Sequence, residues 1–455
     1  MKNIICYDSL TNYFIDSKDV KIAKIIIDSY ELNCIYVNNL ANTDEFNSHF
    51  TPIFAKDNIN NLDNIFPGIC KKIDITDFLT IEEQIFNGKI LILSDNINYE
   101  FNIIKKPLRM PTSSNIDPIN LLGANDDFIE DANINLALVR KRLKTTDLII
   151  EEITLGDKNK TTLYLTYLKE FNTYRDEIVN KLTNNNNKFP SSVESINKLF
   201  QGNSLMPMTI NTGSPENFAL ALTQGRTGII IDNSPIGIIV PVTLSSFANM
   251  KNDENSPFFF SIPLRFFLLI FLIFSIFGLG FSLAIINYHP DSLTISIISN
   301  LKLSERGTNF TVFIEIICIL ILFEFYRYAA SRSPLSYVQN IVIILGGLFI
   351  GQNAINSGLI GPLILLVTAA SYLSSFAFTN NPHMVTAISN FRFFVLILSH
   401  FLGMIGFFLS SFLVIAYLSS LSSFDIPYLY PFSPTSKKSI KEYFIPRSKR
   451  WERFY

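Results

Sequence analysis

Few residues in this 455-residue chain have the types and spacing that chemistry needs. Asp95-Asn96 and Asp232-Asn233 are the first to consider, each following an aliphatic run. Asx side chains placed there stabilise turns by bonding the nearby backbone, so the pairs read as turns before they read as acid–base groups. A catalytic reading would have to draw on Asp95, Asp232 or Glu315, and no nucleophile, base and orienting group recur around them at a useful spacing. The cysteines (Cys6, Cys34, Cys70, Cys318) and the histidines (His49, His289, His383, His400) are scattered singly, without ligand spacing for a metal. Gly123-Ala124-Asn125 lacks the GxGxxG spacing of a nucleotide fingerprint. The residues predict no catalytic site, no metal site and no cofactor.

The elements that hold the remaining polar residues point to a membrane. Phe266–Ile286 is an uncharged apolar run of 21 residues, and about 20 such residues span a bilayer core of roughly 30 Å. Some 260 residues precede it, so it is no signal peptide. The chain divides there into a polar, Asn-rich first half and a lipid-embedded second half. Net charge is −2, which gives no global field to recruit nucleic acid. Basic residues gather after the last apolar stretch, at Lys437, Lys438, Lys441, Arg447, Lys449, Arg450 and Arg453, and predict a cytoplasmic tail. Unpaired cysteine spacing predicts a reducing compartment for the soluble half.

That half carries an internal repeat. Ile25-Ile26-Ile27 and Cys34–Val37 flank turn-type residues at 28–33, a hairpin signal that returns at Ile153–Leu155 and Leu163–Leu165. A second pair is sharper: Gly88-Lys89-Ile90-Leu91-Ile92-Leu93-Ser94-Asp95-Asn96 matches Gly225-Arg226-Thr227-Gly228-Ile229-Ile230-Ile231-Asp232-Asn233, each preceded by a helix-like stretch. Two matches in the same order predict two similar α/β subdomains, about 17–110 and 145–245. Between them, Gly123–Thr145 starts acidic at Asp126, Asp127, Glu130 and Asp131 and ends basic at Arg140, Lys141, Arg142 and Lys144, a polarity that suits a helix dipole. Ile134, Leu138 and Leu143 would form its buried stripe. The segment is either a capped linking helix or a subunit contact in which Asp126, Asp127, Glu130 and Asp131 meet Arg140, Arg142 or Lys144 of a neighbour.

In the membrane half, Phe310–Phe325 is a second span interrupted by Glu315 and Glu324. A carboxylate at bilayer depth costs about 2.5–3.5 kcal/mol, so each should face protein or water. Glu324 and Arg327 can pair on one helix face. Glu315 is either protonated, lines an aqueous path, or meets a donor from another helix. Val338–Gly358 is short and Gly-interrupted, with Gly346, Gly347 and Gly351 followed by Gln352, Asn353 and Asn356. Such segments mark re-entrant or pore-lining elements, or small-residue packing helices. With Glu315, these six are the pore-lining candidates. Leu359–Phe378 and Phe393–Leu421 complete the half. The last is about 29 residues, or roughly 43 Å as a helix, so it tilts, kinks at Gly403 or Gly406, or leaves the lipid. The expected division is 1–120 and 121–260 for two cytoplasmic α/β subdomains, 261–425 for four spans plus a re-entrant segment, and 426–455 for the tail.

These features resemble one family, the A subunits of spore germinant receptors (the GerA family), with stage V sporulation protein AF as a close paralogue. The resemblance covers about residues 80–435. It rests on GANDDFIEDANINLALVRKRLK from Gly123, Glu151–Gly156, IIIDNSPIGIIVPV from Ile229, LGGLFIGQNAINSGLIGP from Leu345, Ser374–Ala377, and SSFDIPYLYPFSP from Ser422. It implies a homo-oligomeric subunit, pentameric by analogy, in the inner membrane of a dormant bacterial spore. Such a subunit works beside a transporter-like B subunit and a lipoprotein C subunit as a nutrient-gated ion channel. The receptor subunit and the AF-type channel both stay open. A secondary transporter is disfavoured, because paired interrupted spans in two halves are missing.

Overall fold

The computed structural model describes residues 7–15, 17, 19–27, 30–37, 40–54, 69–73, 77–93, 98–103, 126–156, 160–183, 192–248, 258–290, 311–332, 355–357 and 359–434. The chain forms two compact units. One comprises residues up to Asn203 together with Met208–Val242; the other takes Ser204–Pro207 and continues from Thr243.

The first unit holds two five-stranded sheets. β1 (Val20–Ile27), β2 (Tyr30–Val37), β3 (Cys70–Ile73), β4 (Ile90–Leu93) and β5 (Asn98–Phe101) run in the order β1-β2-β4-β5-β3. β6 (Leu148–Leu155), β7 (Thr161–Leu168), β8 (Ile210–Thr212), β9 (Thr227–Ile231) and β10 (Gly237–Val240) run in the order β6-β7-β9-β10-β8. Both sheets thus follow one order, and each pairing within them is antiparallel, the pattern of α+β rather than of parallel α/β sheets. The Ile25 hairpin is present with a tighter turn than the residue types imply, because Tyr30–Asn33 pair within the strands as far as Ile27↔Tyr30.

The sharper sequence match has a common local geometry. α1 (Tyr7–Tyr13) and α2 (Thr43–Phe54) precede α3 (Phe78–Phe86), which Asp77 caps through the Thr80 amide and which leads through Gly88, at φ 88°, into β4. In the second sheet, α7 (Pro215–Thr223) is capped by Ser214 and leads through Gly225, at φ 83°, into β9. Asp232-Asn233 is a turn, as its residue types predict: Asn233 has φ 64° and donates its amide to Glu130 O at 2.8 Å. Asp95-Asn96 lies outside the described residues.

The linking helix is α4 (Ala132–Arg142), shorter than its acidic-to-basic stretch because Asp131 caps it by accepting from the Asn133 and Ile134 amides. Ala132, Leu136 and Val139 join the core under the second sheet, with Phe128, Leu148, Phe218, Ile230 and Ile239. Ala137 joins the core of the first sheet, with Ile81, Ile85 and Phe86 of α3. Two cores on opposite sides explain why burial runs unbroken from Asn135 to Arg140 rather than following the Ile134-Leu138-Leu143 stripe. α5 (Arg175–Thr183) and α6 (Val193–Gln201) complete the unit. Cys34 and Cys70 are core residues, and burial pushes the Cys34 thiol up to about 12, leaving it unreactive at neutral pH.

The second unit is helical: α8 (Phe258–Tyr288), α9 (Val312–Arg332), α10 (Pro362–Phe378) and α11 (Pro382–Ser420). Among the described residues two stretches are long and apolar enough to cross a membrane, Ile262–Tyr288 and Pro382–Ser420. The second does not continue straight. Gly403 takes φ 60° and ψ −137°, non-helical values that favour glycine, and the helix folds back on itself. Phe391 and Tyr417, on opposite arms, bring their rings within 5.8 Å. The kink expected at Gly403 or Gly406 is therefore a reversal, and Phe393–Leu421 is not one tilted span but parts of two arms.

Contacts fix the helix directions. Tyr288 at the end of α8 donates to His400 O (2.7 Å), while Arg392, earlier in α11, donates to Ser275 O, so α8 and the first arm run the same way. α9 runs oppositely: Phe313 stacks on His400 at 3.9 Å, and Ser389 bonds Glu324. α10 runs with α9, since Gly361 meets Glu315 and Tyr372 bonds Phe323 O. Thus α9 ends at one end of the bundle and α10 begins at the other. Before α8 and after α11 the chain is stitched together: Leu244 N–H donates to Tyr428 O at 2.7 Å, so the first helix starts and the last helix finishes on one side.

Candidate functional site

Apolar helices turn their few polar groups inward when the alternative is hydrocarbon. Three such knots lie along this bundle. At the end shared by Tyr288 and Gly403, Glu315 is 2 % exposed and its carboxylate accepts the Gly361 amide at 2.9 Å. Gly361 is the N-cap of α10, with Pro362 at the first helical position, so the carboxylate faces the positive end of a helix dipole. Of the three readings of Glu315, a donor from another helix is present in the Gly361 amide. Glu315→Leu strands the Gly361 N–H and costs about 1–3 kcal/mol, whereas Glu315→Gln keeps an acceptor and loses less. Thermal unfolding of the full chain in detergent checks this; equal midpoints for both variants would refute the capping role.

At the opposite end Arg327 pairs with Glu324 (2.6 Å), the pair its spacing predicts. The knot is wider than a single ion pair: Ser389 donates to the other Glu324 oxygen at 2.8 Å, and Arg327 reaches Thr386 Oγ1 at 3.0 Å, so α9 is tied to the first arm of α11. Between the two ends lies Arg392, 1 % exposed. Its Nε donates to Ser275 O (2.7 Å) and its Nη2 to Ser371 O (3.2 Å), and its guanidinium lies 5.5 Å from the Tyr372 ring centroid. Ser371 Oγ donates back to Ser275 O at 3.3 Å. Among the described residues Arg392 makes no ion pair, so a buried cation is held by carbonyl dipoles and a ring face. A small cavity of about 20 Å³, room for one water, lies between Glu315 and this knot, lined by Leu279, Ser282, Ile316, Leu363, Val367 and Thr368.

Of the pore-lining candidates, Gly346, Gly347, Gly351, Gln352 and Asn353 lie outside the described residues. Asn356 is exposed in a single helical turn at 355–356. The structure brings Glu315 together with α10 rather than with Asn356. Arg392, Ser275 and Ser371 were not singled out by sequence: Arg392 sits one residue before the apolar stretch from Phe393 and reads as its boundary. A charge whose helix continues apolar on its far side was the available signal.

The subunit-contact candidates are placed differently from expectation. Arg140 is fully buried, its Nε and Nη2 donating to Asp19 at 2.8 and 2.7 Å, with further bonds to Thr145 O and Leu148 O and the Phe86 ring at 4.7 Å. Arg142 pairs with Asp126 of the same chain, and Lys144 Nζ bonds Asn87 Oδ1 at 2.6 Å. Asp127 is buried, while Glu130 and Asp131 are exposed, Asp131 already capping α4. Arg140 and Arg142 are thus committed within the chain, for a physical reason: a basic helix end packed between two cores needs counter-charges, and Asp19 and Asp126 supply them.

Comparison with known proteins gives a consistent result. The family model described as Bacillus/Clostridium GerA spore germination protein matches residues 8–454. Spore germination protein XA of Bacillus anthracis is 33% identical over 360 residues, 78% of this chain and 73% of that protein. Spore germination protein GerQA of Bacillus cereus is 28% identical over 438 residues, 94% of this chain and 87% of that protein. The crystal structure of the N-terminal domain of the A subunit of the Bacillus megaterium spore germinant receptor GerK3 aligns with 53% of this chain and 96% of that one, at 21% identity and a TM-score of 0.40.

Proposed function

The chain belongs to the GerA family of spore germination proteins, and from that premise we propose that it is the A-type subunit of a germinant receptor that oligomerises into a nutrient-gated ion channel in the spore inner membrane. The observation that carries the receptor reading is the family match, which takes in both units rather than one. The B and C subunits would be its partners, and the α+β unit, read as two similar subdomains, would lie in the cytoplasm with the basic tail. Exposed Glu130 and Asp131 remain for contact with a neighbouring subunit.

The helix directions bear on the path through the membrane. α9 and α10 run the same way, and α11 doubles back as two arms, so the described helices supply five passes through the bundle. An even number of crossings is in keeping with the bond between Leu244 and Tyr428 that joins the two ends of the helical region on one side. Gly346, Gly347, Gly351, Gln352, Asn353 and Asn356 would line the pore at the oligomer axis, where side-chain amides replace part of an ion's hydration shell. Cysteine at Gln352 or Asn356 is then expected to make potassium efflux from liposomes holding the purified receptor sensitive to a water-soluble thiol reagent. Cysteine at Phe412, exposed on the outside of the second arm, is expected to have no effect. Insensitivity at all three positions would remove this segment from the axis.

A further inference from the structure

The SSFDIPYLYPFSP stretch from Ser422 has no part in the path just described, yet it is among the most tightly held segments of the second unit. Tyr428 is fully buried. Its amide donates to Leu421 O (2.9 Å), its carbonyl accepts from Leu244 N–H (2.7 Å), and its ring lies 6.4 Å from that of Phe247. Its hydroxyl donates to Pro207 O at 3.2 Å. Burial pushes that hydroxyl well above its ordinary range, so it stays a donor at physiological pH. Tyr417, one turn from the end of α11, accepts the Leu205 amide on its hydroxyl at 2.9 Å. Two tyrosines more than 200 residues away in sequence therefore bind the backbone of one four-residue segment, Ser204–Pro207. Ser204 stiffens that segment by accepting the Met206 amide at 3.0 Å, and Met206 is buried.

The segment belongs to the helical unit, but its covalent neighbours do not: α6 ends at Gln201 and β8 begins at Ile210, both in the first unit. A loop that only filled space would need apolar contact. This one has a backbone donor and a backbone acceptor each met by a side chain from the end of the last helix or the turn after it, an arrangement that resists displacement along the chain.

We propose that Tyr417 and Tyr428 clasp Ser204–Pro207 to the end of the last helix, so that movement of α6 and β8 is passed through the covalent chain to that helix. The clasp rests on the receptor-channel reading above and gives it a transmission element; the tyrosines are positioning residues and touch no ligand.

The test uses the full receptor in spores and in membranes isolated from them. Tyr417→Phe, Tyr428→Phe and the double variant are compared with Ser419→Ala, whose hydroxyl bonds Ala416 O of its own helix. Amide exchange over 202–210 is expected to rise roughly tenfold in the tyrosine variants, while exchange over β9 stays as in the wild type. Potassium release after challenge with a complete nutrient broth is expected to slow at least about threefold at unchanged protein abundance, most in the double variant. Unchanged exchange overturns the clasp. Raised exchange with unchanged release overturns its role in transmission. Should Tyr428→Phe lower abundance, Tyr417→Phe, whose side chain is only half-buried, decides. Failure of the wild-type receptor to release potassium would overturn the channel reading instead, and exchange on the same protein still decides whether the clasp exists.

Discussion

Arg140→Leu is expected to destabilise the first unit by about 3–5 kcal/mol, because it leaves Asp19 buried without its cation. The Asp19 side chain is 5 % exposed and accepts two charge-assisted bonds from Arg140, at 2.7 and 2.8 Å. The substitution also releases Thr145 O and Leu148 O and removes the cation over Phe86. Asp19 immediately precedes β1 and Arg140 closes α4, so the loss falls where the cores of the two sheets meet. Urea unfolding of the full chain in detergent, followed by exchange over α4, reads the effect. Asp19→Leu combined with Arg140→Leu is expected to regain most of it, since replacing both partners leaves no lone buried charge. A loss below about 1 kcal/mol for the single variant would show that water reaches Asp19 and that the pair holds little.

Gly406→Ala is the second large effect. A Cβ there would lie 2.1 Å from Leu398 O and 2.7 Å from Leu402 Cβ, across the fold-back from its own arm. A backbone oxygen cannot rotate away, so the arms must part, at a cost of about 1–3 kcal/mol or more. Gly280→Ala gives the contrast: its Cβ would meet only side-chain atoms closer than 3.4 Å, Val395 Cγ1 at 2.6 Å and Ser399 Oγ at 3.0 Å. The midpoint of thermal unfolding in detergent is expected to fall more for Gly406→Ala, by roughly 2–4 °C for each kcal/mol. Equal losses at both positions would mean the arms of α11 are not closed at Gly406.

How far the sequence could carry this description depended on how local each feature is. The β1–β2 hairpin, the helix–Gly–strand pair at Gly88 and Gly225 and the first long helix are written in neighbouring residues, and they stand where the patterns put them. The Arg140–Asp19 pair joins residues 121 apart, and nothing in the spacing around either announces the other. Arg140 therefore read as the basic end of a linking helix or as a subunit contact. The fold-back at Gly403 was legible only as a kink, because a single residue with positive φ reverses the helix and no polar turn interrupts the apolar run. Arg392 was hidden for the converse reason: a lone cation at the edge of an apolar stretch looks like a span terminus, and only the pairing of three helices shows it to be interior.

On the membrane reading proposed above, the fold-back governs how the chain would enter the lipid during synthesis. The arm at 382–402 carries His383, Asn390, Arg392 and His400, and one central arginine alone adds about 2.5–3.5 kcal/mol to the cost of partitioning. The arm at 404–420 has no charged residue and is dominated by Phe, Leu, Ile and Val. With one glycine between them, neither arm can be threaded through a translocation channel while the other waits in water. On that reading the pair would partition as a hairpin, the apolar arm drawing in the polar one. Ser275 of α8, made earlier in the chain, would then offer its carbonyl to Arg392 on arrival, so the order of synthesis would supply the acceptor before the charge that needs it.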